Sequence, residues 1–251
     1  MKKPRIQVTI TSTELTEATR EEMWKLYRKY YHYSRESFMQ RISLNNYFSF
    51  YTVDGRIAGF TGLRINRTEV DNRQCLLIYF GQTIIGQEYR GNSLIHRTAT
   101  KLCLQYWKDI VLGRVFVWAD ALTYKPYLAF AKTVTEYYPS YRTITPDYIQ
   151  QLINFVGEEY YGETFCPETG TVKKDKIFVN DPTTLIDPMT ERDLDVLFYL
   201  AINPKYTLGH GLITLTPMHG KNYLKVVFKC LKKIFFRKKK RECVEWAMQA
   251  N

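Results

Sequence analysis

The feature that most constrains the fold is a long apolar run followed at once by a glycine-containing loop and a helical pattern. The run CLLIYFGQTII (Cys75–Ile85) is apolar throughout, which is typical of a strand in the centre of a sheet. Gly86–Asn92 is rich in turn-forming residues, and Ser93–Ile110 has apolar residues at helical spacing. This strand–loop–helix unit predicts an α/β domain.

Other strands and helices are predicted on both sides of this unit. Asp54-Gly55 lies between two β-rich stretches and predicts a hairpin over Tyr47–Ile65, with the polar residues Asn66–Gln74 as the next connection. Further strands are predicted at Arg114–Ala121, Lys176–Val179 and Gly211–Thr216, and helices at Leu15–Arg41 with a break near Ser34 or Asn45, Pro126–Tyr138, Tyr148–Tyr161 and Thr190–Ala201. The order predicts one domain with a mixed sheet flanked by helices, and extra helices after Tyr138.

The positive charge of the chain is concentrated in one segment. The formal net charge is +11, and Lys221–Arg241 contains ten Lys or Arg residues and no acid. The expected division is therefore a domain over residues 1–220 and a basic tail over residues 221–251. As a helix, this segment would carry lysines on one side and apolar residues on the other, which is typical of a helix on an anionic membrane or of one packed on the domain. No nucleic-acid recognition motif accompanies the charge, so nucleic acid is not expected as a partner.

The cysteines, histidines and apolar runs exclude several other classes of protein. The five cysteines are scattered without a CxxC pair, and the four histidines have no i, i+4 pair, so no metal site is predicted. No apolar run approaches the roughly 18–20 residues of a membrane span, and the N-terminus has no apolar signal-peptide core. The expected location is the cytoplasm, with peripheral attachment to a membrane left open by the basic segment.

The loop after the central strand has the composition of a phosphate site. Gly86 and Gly91 let backbone N–H groups converge, the helix that starts near Ser93 adds partial positive charge, and Arg90 adds a cation. The sequence predicts a pyrophosphate site here, with an ordinary strand–turn–helix connection as the alternative.

Residues Glu88-Tyr89-Arg90-Gly91-Asn92 resemble the cofactor loop of the GNAT superfamily of N-acyltransferases, whose pattern after a central strand is Arg/Gln-x-x-Gly-x-Gly/Ala. Arg90 matches the first position. Ser93 and Ile95 stand at the two small positions, the first a conservative change and the second a clear departure. The order of elements over Leu15–Tyr138 also resembles this family, which implies a GNAT-like, mostly antiparallel sheet.

The resemblance implies an acyl-CoA donor, with an acyl-carrier-protein thioester as the other donor of this class. Backbone groups near the end of the central strand would pair with the pantetheine arm, and amides of the loop and helix start would bind the pyrophosphate. An amine would attack the thioester directly. The expected cofactor-binding residues are Thr83, Ile84, Ile85, Arg90, Gly91, Asn92, Ser93, Leu94, Ile95 and His96.

The resemblance also implies a tyrosine acid on the helix after strand Arg114–Ala121, where Tyr127 is the first choice and Tyr124 the second. The family commonly has a carboxylate base on the central strand, and Cys75–Ile85 contains none. A water relay, Glu88 or His32 remain as sources of the base.

The predicted function is an N-acyltransferase whose acceptor is an amine of a peptide, an amino acid or a small molecule. The chain contains 20 tyrosines and 15% aromatic residues, which is typical either of a ring-rich core or of a groove for a flexible apolar ligand. The acyl group is therefore expected to be acetyl or a long fatty chain. The alternative function is a catalytically silent GNAT-like fold that acts as a membrane-associated binding or scaffold protein.

Overall fold

The structure is a computed structural model that describes residues 5–12, 14–174, 177–178, 186 and 190–228. The strands are β1 Gln7–Ser12, β2 Tyr31–His32, β3 Tyr47–Val53, β4 Arg56–Val70, β5 Arg73–Ile85, β6 Val115–Ala121, β7 Phe165–Cys166, β8 Thr171–Lys173, β9 Ile177–Phe178 and β10 His210–Pro217. The helices are α1 Glu17–Tyr27, α2 Arg35–Ser43, α3 Leu94–Gln105, α4 Trp107–Val111, α5 Tyr124–Ala131, α6 Asp147–Tyr161 and α7 Leu194–Ile202.

The main sheet has eight strands in the order β1-β3-β4-β5-β6-β10-β8-β7, and β2 pairs with β9 separately. The strands β1, β3, β4 and β5 form one antiparallel half, and β6, β10, β8 and β7 form another. The two halves meet where β5 runs parallel to β6. The predicted fold class is confirmed: the sheet is mixed and mostly antiparallel, with helices on both faces and two further helices, α6 and α7, late in the chain.

Strand alternation gives the sheet two buried faces, because successive side chains of a strand point to opposite sides. Leu76 and Ile78 of β5 pack with residues of α3, α5 and α7. Leu77 and Tyr79, which alternate with them, pack with residues of α6. Helices α1 and α2 cover Phe60 of β4 in a neighbouring cluster. We call these the α3 face and the α6 face of the sheet.

Several predicted elements are confirmed with adjusted bounds. Asp54 and Gly55, both at positive φ, form the hairpin turn between β3 and β4. The prediction of a polar connection over Asn66–Gln74 is wrong, because β4 and β5 continue their ladder to a second turn at Asp71 and Asn72, which also have positive φ. The helix predicted to reach Tyr138 ends at Ala131.

The basic segment is described only in its first part. Residues 220–228 are helical, and Asn222 and Val226 are buried against the domain while Leu224 and Phe228 are exposed. The described part of this helix therefore packs on the domain. The remainder of the predicted Lys221–Arg241 segment lies outside the described residues. In the part of the chain described, no helix has the length and apolar character that crossing a membrane requires.

Candidate functional site

The parallel strands β5 and β6 separate part of the way along their length. They pair from Leu76 and Val115 to Tyr79 and Trp118. Beyond this point β5 continues to Ile85 and β6 to Ala121, and no further pair joins them. Backbone N–H and C=O groups on this edge of β5 therefore have no neighbouring strand in the described structure. Such an edge can pair with an extended ligand.

A bulge in β5 borders this gap. Between the pairs Phe60–Ile84 and Gly62–Gly81, one residue of β4 lies opposite two residues of β5. Gln82 takes the extra position with φ +48°, a left-handed conformation that a long side chain rarely adopts. The bulge changes the alternation of side chains and brings Gln82 to the gap.

A cavity of about 420 Å³ lies on the α3 face and opens into the gap. Its walls are β5, β6, α3 and α5, and its lining is mostly apolar. On α3 it extends from Ile95 to Cys103, about 12 Å at the rise of an α-helix, and it continues to Tyr106. Tyr31, which lies between α1 and α2, also lines it. We call it the α3 cavity.

The loop from β5 to α3 stands beside this cavity. Gly91 and Ser93 have φ values of +78° and +56°, and α3 begins immediately afterwards. The first turn of an α-helix leaves backbone N–H groups without intrahelical acceptors, and these attract anions. The Arg90 guanidinium is 5.0 Å from the Tyr30 ring centre, and its Nε donates to the Ile85 carbonyl at 3.3 Å.

Helix α3 is fixed to the sheet by hydroxyl groups. The Thr98 hydroxyl is 2.7 Å from the Ser49 hydroxyl and 3.1 Å from that of Tyr51. All three side chains are buried. These bonds define how far the helix stands from β3, and so where its N-terminus lies relative to the gap.

A group of polar side chains lies at the gap on the α6 face, and we call it the Asp120 cluster. Its members are Arg41, Asn45, Arg64, Tyr79, Gln82, Asp120, Tyr161 and Lys174. The Asp120 carboxylate accepts hydrogen bonds from Tyr79, Tyr161 and Lys174. Both Gln82 and Asp120 also line the α3 cavity, so the two regions meet at these side chains.

The ion pair of Lys174 with Asp120 is buried: the Lys174 side chain is 1% exposed and the Asp120 side chain 7%. Burial lowers the pKa of Lys174 to about 8, although the Asp120 carboxylate acts in the opposite direction. Burial and the same carboxylate raise the pKa of Tyr161. Lys174 can therefore change protonation state near neutral pH, which an exposed lysine cannot.

The predicted cofactor-binding residues divide into three groups. Thr83, Ile95 and His96 line the α3 cavity. Residues 90–93 form the loop beside it. Ile84 and Leu94 are buried in core clusters, and Ile85 packs beside Leu94, so only their backbone groups are available to a ligand. Ile95, the departure from the family pattern, is 38% exposed, so its branched side chain narrows the cavity wall without occupying the core.

The two tyrosines predicted as the acid are buried in the core. Tyr127 is 0% exposed, packs against Tyr137 and Tyr199, and donates its hydroxyl proton to the Pro139 carbonyl at 3.1 Å. Tyr124 is buried in the same core cluster and does not line the α3 cavity. The first turn of α5 therefore points these rings into the core, and neither ring lines the α3 cavity.

The two side chains expected as bases do not line the cavity. Glu88 is exposed on the loop and is not among the cavity residues. His32 is exposed in β2.

The sequence does not indicate Asp120 or Lys174 as residues of the site. Asp120 stands near the end of the apolar run VFVWADA, where a carboxylate is itself a signal, whereas nothing local marks Lys174.

No protein-family model matches the chain, and no curated protein matches its sequence. Similar solved structures include an acetyltransferase of Trypanosoma brucei, with 15% identity over 57% of this chain and 99% of that one, at a TM-score of 0.39. A probable N-acyltransferase of Enterococcus faecalis V583 has 14% identity over 52% of this chain, at a TM-score of 0.38, and the match spans 33% of that protein's length. A GNAT family N-acetyltransferase of Escherichia coli, solved with CoA, has 12% identity over 48% of this chain and 66% of that one, at a TM-score of 0.34. Similarities this low do not by themselves assign the chain to a family.

Proposed function

We propose that this protein is an N-acyltransferase that transfers an acyl group from an acyl-CoA thioester to an amine. The observation that carries the proposal is the gap between β5 and β6, which opens on one side to an apolar cavity and on the other to a buried carboxylate. Such a gap allows two substrates to meet within a sheet from opposite faces.

The residues present fit an acyl-CoA donor. The unpaired edge of β5 beyond Tyr79 offers backbone partners for the amides of a pantetheine arm. The left-handed residues Gly91 and Ser93 lead into the N-terminus of α3, where backbone N–H groups and Arg90 favour a pyrophosphate. The thioester supplies the activated acyl group. A carrier-protein thioester would use the same strand edge, and the donor assay below includes it.

The acceptor amine requires a proton path. The amine nitrogen forms a bond to the acyl carbon as the carbon–sulfur bond breaks. It loses one proton before attack and one afterwards, and the departing thiolate takes up one. We assign Asp120 to hold the acceptor ammonium and neutral Lys174, bonded to that carboxylate, to receive its first proton. Fixing amine and thioester in one gap supplies much of the rate.

The α3 cavity favours a long acyl chain over acetyl. Its volume of about 420 Å³ is larger than a two-carbon acyl group can fill, and its lining is largely apolar. Each methylene that it buries contributes about 0.8 kcal/mol to binding, so a fatty chain gains affinity with every carbon that fits.

An anionic membrane surface is the proposed location of a fatty-acyl donor. Trp107 and Val111 of α4 are exposed, as are Leu224 and Phe228, and both segments border the α3 cavity through Ile110 and Val226. The basic sequence that follows Phe228 complements anionic lipid. The full chain should float with phosphatidylserine-containing vesicles and not with phosphatidylcholine alone. Flotation unchanged by deletion of residues 229–251 would refute the role of the basic sequence.

The function is tested by thermal unfolding and by turnover with matched donors. Acetyl-CoA, dodecanoyl-CoA, dodecanoyl carrier protein and free CoA are each added to the full chain, with a mixture of amino acids and simple amines as acceptors. We expect a rise in melting temperature, largest with dodecanoyl-CoA, and release of free thiol. Donor binding without thiol release would favour the catalytically silent scaffold. A folded protein that no donor stabilises would refute the proposal.

A further inference from the structure

A relay of hydrogen bonds in the Asp120 cluster has a fixed direction. The Arg64 Nε donates to Asn45 Oδ1 at 3.3 Å, and Asn45 Nδ2 donates to Gln82 Oε1 at 2.6 Å. A guanidinium can only donate, so the bond from Arg64 sets the orientation of the Asn45 amide. The Asn45 amide in turn sets that of Gln82. The amide nitrogen of Gln82 is therefore directed away from Asn45.

Both ends of this relay are donors without acceptors. Arg64 Nη1 and Gln82 Nε2 have no hydrogen-bond partner among the described residues. Arg64 is 2% exposed and Gln82 8% exposed. A buried donor that lacks an acceptor is destabilising, and two at one relay are rare in a folded protein. They call for an acceptor group that a ligand brings.

The charge around the relay specifies the kind of acceptor group. Arg64 lies between the rings of Tyr79 and Tyr160, 4.3 and 4.8 Å from their centres. Arg41 is close enough to Asp120 to interact with it electrostatically, and Lys174 is bonded to it. Arg41 and Arg64 keep their charge whatever the protonation state of Lys174, so within the part of the chain described at least two cations stand in a cluster that has one carboxylate. An anion is favoured over a neutral carbonyl.

The backbone around the relay is shaped to admit these side chains. A Cβ on Gly62 would stand 2.5 Å from Asn45 Nδ2 and 3.1 Å from Gln82 Oε1, so this position must be glycine for the relay to form. Gln82 itself occupies its left-handed conformation at an energetic cost. Backbone strain at a buried polar relay is typical of a binding site.

We propose that the acceptor is an amino acid, bound as a zwitterion with its carboxylate on Arg64 and Gln82 and its ammonium on Asp120. This inference rests on the proposed function, since it names the acceptor of that same site. Gln82 and Asp120 both line the α3 cavity, so an amino acid held between them places its nitrogen at the gap where the acyl group arrives. The product is an N-acyl amino acid.

The test compares a carboxylate with its uncharged amide in the absence of any donor. N-dodecanoylglycine and N-dodecanoylglycinamide are titrated into the full chain by calorimetry. We expect the carboxylate to bind at least about tenfold more tightly, since it supplies the acceptor for two buried donors. Equal affinities, or binding of neither compound, would overturn the inference.

Two variants and a control assign the preference to the relay. Gln82→Glu keeps the shape of the side chain but replaces the N–H donor with oxygen, so the preference for the carboxylate should fall about tenfold or more. Arg64→Met should remove it. Arg67→Met, on the same strand but bonded to Asp109 at the surface, should retain it. Retention of the preference in both cluster variants would overturn the assignment.

Turnover separates this inference from the proposed function. Dodecanoyl-CoA is supplied with a mixture of the common amino acids or with the matching amino acid amides, and products are identified by mass spectrometry. Equal acylation of both mixtures would support the transferase and refute the amino-acid acceptor. Selective binding of the carboxylate without any turnover would retain the site and refute the transferase.

Discussion

The α3 cavity and the Asp120 cluster share one gap and differ in every other respect. The cavity is lined mainly by aliphatic and aromatic side chains of α3, α5, β5 and β6. The cluster concentrates cations, tyrosines and one carboxylate on the opposite face. The separation of two neighbouring strands is thus enough to create two chemically different half-sites, one on each face of the sheet. It also divides the mutational effects: changes in the cluster should affect stability and the acceptor, and changes in the cavity should affect the donor.

The largest effect is expected from Asp120→Asn. This change leaves Lys174 buried without its counter-charge, which should lower the free energy of unfolding by about 3 kcal/mol. Urea denaturation measures it. Asp109→Asn breaks the surface pair with Arg67, 61% exposed, and should cost at most about 1 kcal/mol. Equal losses of unfolding free energy in the two variants would contradict the view that the buried ion pair depends more on its counter-charge than the surface pair does.

The next largest effect is expected in the α3 cavity and concerns the affinity for the acyl donor. Ala99 lines the α3 cavity from α3, so Ala99→Leu should displace about three methylenes of a long chain, or about 2 kcal/mol of binding. Affinity for dodecanoyl-CoA should fall about 30-fold, and that for acetyl-CoA should not change. Lys101→Leu adds the same side chain at an exposed position of α3 and serves as control. Parallel losses for both donors would remove the cavity as the acyl site.

A smaller effect is expected from Gly62→Ala, because the added Cβ would displace Asn45 from Gln82. One buried hydrogen bond is lost, so the unfolding free energy should fall by about 1.5 kcal/mol while donor affinity is retained. Gly211→Ala is the matched control in a buried strand, where the nearest atoms stand 3.4 Å away. If Gly62→Ala weakens donor binding as strongly as it destabilises the fold, the two half-sites are not separable.

The smallest effect concerns pH. The pKa of Lys174 is lowered to about 8 in the folded protein from 10.5, so between these values the unfolded chain binds more protons. The free energy of unfolding should therefore rise with pH, by about 1 kcal/mol from pH 8 to pH 9. Urea denaturation of the wild type against Lys174→Met isolates this contribution. The same slope in both proteins would show that another group is responsible.

The parts of the fold with local signals could be predicted from the sequence. Asp54-Gly55 defines its hairpin because both residues tolerate positive φ. The apolar run of β5 required burial on both faces, and the structure places it in the middle of the sheet. The start of α3 followed from the loop that precedes it. By contrast, the ladder across Asn66–Gln74 was missed because polar residues on an extended ribbon resemble a loop.

The Asp120 cluster could not be predicted, because its members are distant in sequence. Asn45 is bonded to Gln82 37 residues later, and Asp120 to Lys174 54 residues later. Only the sheet order brings them together. The environment of Tyr127 could not be predicted for a related reason, because the direction of its ring depends on how α5 packs against α7.

The short contact between β5 and β6 has a mechanical consequence. The sheet is two four-stranded plates joined along four residue pairs, Leu76–Tyr79 with Val115–Trp118. A joint with so few hydrogen bonds resists a change of angle less than a full ladder would. Opening the angle would widen the gap most at its mouth and least at the end where β5 and β6 are paired. The apolar clusters on both faces extend across the joint and oppose its rotation, so the widening is expected at the mouth of the gap, where substrates enter and products leave.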